Sequence, residues 1–79
     1  MRFSAAIEMC IYGGHKITRT GWNGKGQYVR LGECIDFSEG DKRRHTGTRA
    51  LIFHGNSGIQ VGWLASQGDM LAEDWEVIE

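Results

Sequence analysis

Between Arg19 and Tyr28 the chain reads Arg-Thr-Gly-Trp-Asn-Gly-Lys-Gly-Gln-Tyr, a run that gathers a stacking ring, an amide, two cations and three glycines. That mixture suits a nucleotide. Trp22 offers a flat face to a purine, Asn23 an amide that reads an edge, Arg19 and Lys25 positive charge, and Tyr28 a second ring. Gly21, Gly24 and Gly26 let backbone N–H groups approach an anion with no Cβ in the way. The plainer alternative is a β-turn, because Asn-Gly is a strong hairpin signal and Trp22 can cap a small core. A triphosphate-binding P-loop does not fit, since Gly21 and Gly24 stand too close and Lys25 is followed by Gly26 instead of Ser or Thr. A dinucleotide fingerprint fails too, because this loop leads into a strand and not a long helix.

A second group lies near the other end of the chain, in Trp63, Gln67 and Asp69. Trp22 and Trp63, each near a sheet end, would sandwich a base at about 1–3 kcal/mol per stack; the competing reading makes one of them core. Asp69 sits on an irregular turn, where its carboxylate accepts ribose hydroxyls or a purine amino group, or else only satisfies a helix N-terminus. Trp75, between Asp74 and Glu76, reads as structural. Arg43, Arg44, His45 and Arg49 form a candidate second phosphate site through their cationic forks, against the alternative of a solvated loop. The three histidines have no Ser, Cys or Asp partner at diagnostic spacing, so no catalytic residue is nominated. Cys10 and Cys34 form no CxxC pair and fall out of register with the histidines as zinc ligands, so both are read as buried thiols and neither a metal nor a cofactor is expected.

These residues need a scaffold. Phe3, Ala6, Ile7, Cys10 and Ile11 make one apolar stripe at helical spacing, with Ser4 as the expected N-cap and Gly13-Gly14 as the stop. Lys16 to Arg19 and Gln27 to Leu31 read as strands joined by the glycine loop, with Tyr28 and Arg30 on one face and Val29 and Leu31 on the other. Asp36 to Thr48 is polar and reads as an exposed loop. Arg49 to His54 and Ile59 to Trp63 follow as a hairpin, with Ile59, Val61 and Trp63 expected on one face. Ser66 to Asp69 resembles a capping box with Asp at the third helical position, opening one turn through Ala72. Trp75, Val77 and Ile78 close the chain as a strand. The expected class is α+β: a small twisted antiparallel sheet of about four or five strands, an N-terminal helix packed on it, and a short C-terminal helical turn.

With 79 residues and no proline to mark a linker, the chain reads as one domain. A chain this short buries only about 60% of its unfolded surface, so oligomerisation is the expected supplement to a thin core. A net charge of -1 argues against tracking DNA or RNA, which needs a basic surface. The mean hydropathy of -0.37 argues against a membrane span. The opening Met-Arg-Phe-Ser-Ala-Ala-Ile-Glu lacks the uninterrupted apolar core of a signal peptide, so a cytoplasmic location is expected.

The leading Arg2-Phe-Ser-Ala-Ala6 segment, the Arg19-to-Gly26 loop and the closing Trp63-Leu-Ala-Ser-Gln-Gly-Asp-Met-Leu-Ala-Glu-Asp-Trp75 together resemble the Thoeris anti-defence 2 family of small phage proteins. The resemblance covers both ends, about half the chain, and its two motifs are specific in combination. It implies a sponge: a homo-oligomer, dimer or dimer of dimers, that binds a cyclic ADP-ribose isomer made by a bacterial immune system and withholds it intact from its effector. Some relatives also hold cyclic oligonucleotides in a second site. Carried onto this chain, the ligand-facing positions are Trp22 and Asn23 in the first motif and Trp63, Gln67 and Asp69 in the second. The chain departs from the family in having Ala65 where Pro is common, and its stretch from Glu33 to Arg49 has no match. Two other readings compete: a nuclease or hydrolase that degrades such signals, resting on His45 or His54, and a nucleic-acid or protein adaptor using the basic loop.

Overall fold

The helix stripe and the strand alternation fold onto one another as a single sheet covered on one face. The computed structural model of the chain describes residues 1–22, 26–33 and 49–78. Element order is α1 (Phe3–Gly13), β1 (Lys16–Arg19), β2 (Tyr28–Glu33), β3 (Arg49–Gly55), β4 (Gly58–Val61), α2 (Gln67–Leu71) and β5 (Trp75–Ile78). The five strands lie in the order β4-β3-β2-β1-β5, and every neighbouring pair is antiparallel. No helix among the described residues is long and apolar enough to cross a membrane.

The α1 stripe is buried as its spacing requires: Ala6 and Cys10 are fully enclosed, and Phe3 and Ile7 pack beside them. Burial also pushes the Cys10 thiol pKa up, keeping it protonated. Gly14 ends the helix in the left-handed conformation, its amide returning to the Met9 carbonyl. Ser4 is not the N-cap. The helix starts two residues earlier than a Ser4 cap would allow, because the Arg2 carbonyl already accepts the Ala6 amide at 3.1 Å, and Arg2 stands in the capping position without a side-chain bond.

Strand register places most of the core on one face, with Ile52, 1% exposed, on the other beside Arg30 and Val61. Ile17 pairs with Val29 and with Val77, Val29 with Phe53, and Leu31 with Leu51, so these side chains share the face under α1. Tyr28, Arg30 and His54 consequently point the other way, as the alternation within β2 requires. α1 packs on β1, β2 and β5 and touches α2, which leaves the β3–β4 wing of the same face for other groups.

Trp63 is one of those groups, and it departs from the expected strand. β4 stops at Val61, and Ile59 and Val61 are exposed on the far face, whereas Trp63 is buried with 9% exposure. The cause is a glycine β-bulge: Gly62, at φ +86°, and Trp63 both donate to the Leu51 carbonyl at 2.9 Å. Two residues opposite one reverse the alternation and turn the indole inward. Gly62→Ala is expected to cost about 1–2 kcal/mol, the left-handed penalty for a residue with a Cβ, and to lower the melting temperature by several degrees. An unchanged melting curve would show that the bulge tolerates a Cβ.

Candidate functional site

Asp69 organises the site. The expected capping box is present: Ser66 Oγ accepts the Asp69 amide at 3.1 Å, and Asp69 Oδ2 accepts the Ser66 amide at 3.2 Å. The carboxylate does more than cap. Its Oδ1 accepts Arg19 Nη1 at 2.8 Å and the Trp22 indole N–H at 3.0 Å, while the Asp69 carbonyl accepts the Trp75 indole N–H at 2.8 Å. One residue of a five-residue helix thus holds two tryptophans and an arginine.

Arg19 is held from both sides, with Nε donating to Asp74 Oδ1 at 2.8 Å. Asp74 in turn accepts the Gly21 amide at 2.7 Å and the Thr20 hydroxyl at 3.3 Å through Oδ2. A Cβ on Gly21 would stand 2.7 Å from that same oxygen, so the bare backbone is needed there for contact with a carboxylate. The anion that Gly21 receives in this structure is the protein's own Asp74.

These contacts set the charges. Desolvation pushes the Asp69 pKa up, but hydrogen bonds from Arg19, Trp22 and Ser66 outweigh it and hold the carboxyl below its ordinary value. The Arg19 hydrogen bond likewise lowers Asp74, and hydrogen bonds to Asp74 and Asp69 raise Arg19. A carboxyl with a depressed folded-state pKa contributes stability above its unfolded value and loses it as pH falls through the folded one. Melting temperature is therefore expected to drop as pH falls below about 4, with a shallower dependence in Asp69→Asn, which keeps only the Asp74 contribution. Identical slopes in the two proteins would break the link to Asp69.

The rings gather around this carboxylate. Trp22 is half-buried and meets Phe53 at 5.4 Å between centroids and 85°, Trp75 at 5.3 Å and 79°, and Trp63 at 6.4 Å and 75°. The expected sandwich of a base between parallel Trp22 and Trp63 is not the geometry found, because the two indoles meet edge to face with no slot between them. Instead Trp22, Trp63 and Phe53, with Gln27 and Asp69, line a depression of about 280 Å³. Trp75 lies in the core at 2% exposure, the structural position expected for it.

Of the residues nominated from sequence, Arg19, Trp22, Trp63 and Asp69 come together here. Gln67 is exposed at the start of α2. Tyr28 lies on the opposite face of the sheet, because its neighbour Val29 is the residue that faces the core. There its ring stacks on His54 at 4.4 Å and 10°, Lys16 Nζ stands 5.0 Å from its centroid, and Arg30 Nε donates to His54 Nε2 at 2.9 Å. Burial first, then the charges of Arg30 and Lys16, lower the His54 pKa. Arg49 is exposed at the start of β3, opposite Glu33. Asn23, Lys25, Arg43, Arg44 and His45 lie outside the described residues, as does Cys34. Phe53, Gln27 and Asp74 were not singled out from sequence. The alternation of Leu51 and Phe53 in β3 was the available signal for Phe53, but nothing local links Asp74 to Arg19.

A helix-covered antiparallel sheet with an aromatic pocket at its rim defines a small two-layer α+β fold, pinned at one end by a shared carboxylate. The chain belongs to the Thoeris anti-defense 2-like domain family, whose model matches residues 1–78. It is similar to Thoeris anti-defense 2 of Bacillus phage SP01, at 29% identity over 85 residues that cover 99% of this chain and 94% of that protein. Membership assigns the chain a phage anti-defence role.

Proposed function

We propose that this protein is a sponge for a nucleotide immune signal of the cyclic ADP-ribose type, binding it intact in the cytoplasm of the infected cell and withholding it from its effector. The observation that carries this reading is the 280 Å³ depression lined by Trp22, Phe53 and Trp63, with Gln27 and Asp69 at its edge. Its aromatic walls favour a base, and the Trp22 indole is fixed by its bond to Asp69, so little ordering remains to be done on binding. Both Asp69 oxygens accept hydrogen bonds from the protein, which suits a holding role better than proton transfer.

A volume of that size is near the lower end for small-molecule pockets, which span about 300–1,000 Å³. Nanomolar retention requires about 12 kcal/mol, more than one stack and a few hydrogen bonds supply. A pocket completed by a second copy of the chain meets both needs, so a dimer or dimer of dimers belongs to this proposal. Cyclic oligonucleotides are the further candidate ligands.

The test is to incubate the purified protein with cyclic ADP-ribose isomers and cyclic di- and trinucleotides, filter the protein away, then heat it and identify what it releases. The expected result is depletion of one ligand class from the filtrate and its recovery unaltered. A modified product would make the protein an enzyme, and no depletion of any ligand would sink the proposal.

A further inference from the structure

Beside the aromatic depression lies a second one of about 400 Å³, along the β3–β4 hairpin. The two share Phe53 and Gln27 in their walls, so they form one continuous groove. We infer that this groove is bipartite: the base of a bound nucleotide lies at the Trp22–Trp63 end, and its ribose hydroxyls are read at the hairpin end by Asn56, Ser57 and Gln60. This rests on the nucleotide-binding reading above and extends it to the part of the ligand that would decide specificity.

Register puts these groups on the right face. Gln60 pairs with Phe53, so its side chain stands beside the Phe53 ring on the face that carries Trp63. Gly55 pairs with Gly58, and Asn56-Ser57 is the exposed two-residue turn between them. The hairpin therefore carries its amides and hydroxyl to the mouth of the groove, past the part of the sheet that α1 covers.

Gly55 leaves room for the Phe53 ring. A Cβ there would meet Phe53 Cε2 at 2.6 Å and two further ring atoms at 3.3 Å. With glycine, the ring reaches over residue 55 towards the turn, and it lines both depressions.

The chemistry of the hairpin end matches a sugar. The described residues lining it include no charged side chain. Side-chain amides and a serine hydroxyl both donate and accept, as sugar hydroxyls do, whereas a phosphate only accepts and is better matched by cations. The aromatic end offers the stacking surface a base needs.

Calorimetric titration of the unaltered protein with cyclic ADP-ribose and with glycocyclic ADP-ribose closed through the adenosine 3′-oxygen, and with the analogue of each that lacks the adenosine 2′-hydroxyl, tests this. The Asn56→Ala/Gln60→Ala double variant is expected to bind the ribo forms about 10-fold more weakly at an unchanged melting temperature, since both positions are exposed. It should also lose most of the preference for ribo over deoxy form. Gly55→Ala, by driving the Phe53 ring into the groove, is expected to weaken both forms together. Full affinity in the double variant, alongside weakened binding in Trp22→Ala, would overturn the hairpin assignment and leave the sponge reading standing. Equal weakening of ribo and deoxy forms by the double variant would overturn the sugar assignment. If the unaltered protein binds neither isomer nor its analogue, this inference and the nucleotide reading fall together.

Discussion

Trp22→Ala is expected to weaken binding of the proposed nucleotide ligand by roughly 10- to 100-fold, the cost of losing one base–indole stack. The ring is half-buried, meeting Phe53, Trp63 and Trp75 edge to face, and part of it lines the groove. Truncation also removes the donor to Asp69 at 3.0 Å and some packing, so the variant will melt earlier than the unaltered protein. Trp22→Phe separates the two effects. It keeps an aromatic face, though a smaller one, and loses the hydrogen bond, worth about 1 kcal/mol, so it should retain more of the affinity than Trp22→Ala. Titration calorimetry at a temperature where both variants are folded by circular dichroism provides the measurement. Undiminished affinity in folded Trp22→Ala would show that this indole is part of the core and not of the site.

Asp69→Ala is expected to be strongly destabilising. Its side chain is the hub for Arg19, Trp22 and the Ser66 amide, and its removal leaves the two side-chain donors without their acceptor and α2 without its box. Ser66 Oγ still caps the residue-69 amide, so only the return bond to the Ser66 amide is lost, which costs less than the about 1 kcal/mol of a whole cap, and stranding partly buried donors adds about 1–3 kcal/mol. The Arg19 pair is 21% exposed on one side and 13% on the other, so solvent screens it and its removal should cost less than the loss of a fully buried pair. For a chain of 79 residues, whose total stability is of the order of 4–12 kcal/mol, that loss is large. Denaturant unfolding of Asp69→Ala and Asp69→Asn gives the comparison: Asn can still accept from Arg19 or Trp22 and should recover part of the loss. If Asp69→Ala unfolds at the same denaturant midpoint as the unaltered protein but fails to bind, the carboxylate acts on ligand and not on the fold.

Much of this protein follows from its sequence, and the reason is period. The 3.6-residue spacing of Phe3, Ala6, Ile7 and Cys10 determines which face of α1 is buried, and the two-residue alternation of β2 sends Val29 inward and Tyr28 outward. The Ser66–Asp69 box is equally local, because both partners lie within one helical turn. These features depend on neighbours along the chain, so the order of residue types suffices to specify them. The resemblance carried by the Trp22 and Trp63 motifs is likewise written in the order of residues, and the family match to residues 1–78 bears it out.

What the sequence leaves open depends on contacts between distant segments. Gly62 marks a place where the chain can bend, but the bulge that turns Trp63 inward exists only because two amides share the Leu51 carbonyl across the sheet. The tertiary structure also decides the uses of the charges: Arg19 reaches Asp69 and Asp74 because β1 lies beside β5, 50 and 55 residues further along the chain. Sequence determined the chemical groups and their local periodicity; long-range strand pairing, by fixing which groups meet and which carboxylates are already occupied, decided where a ligand has room to bind.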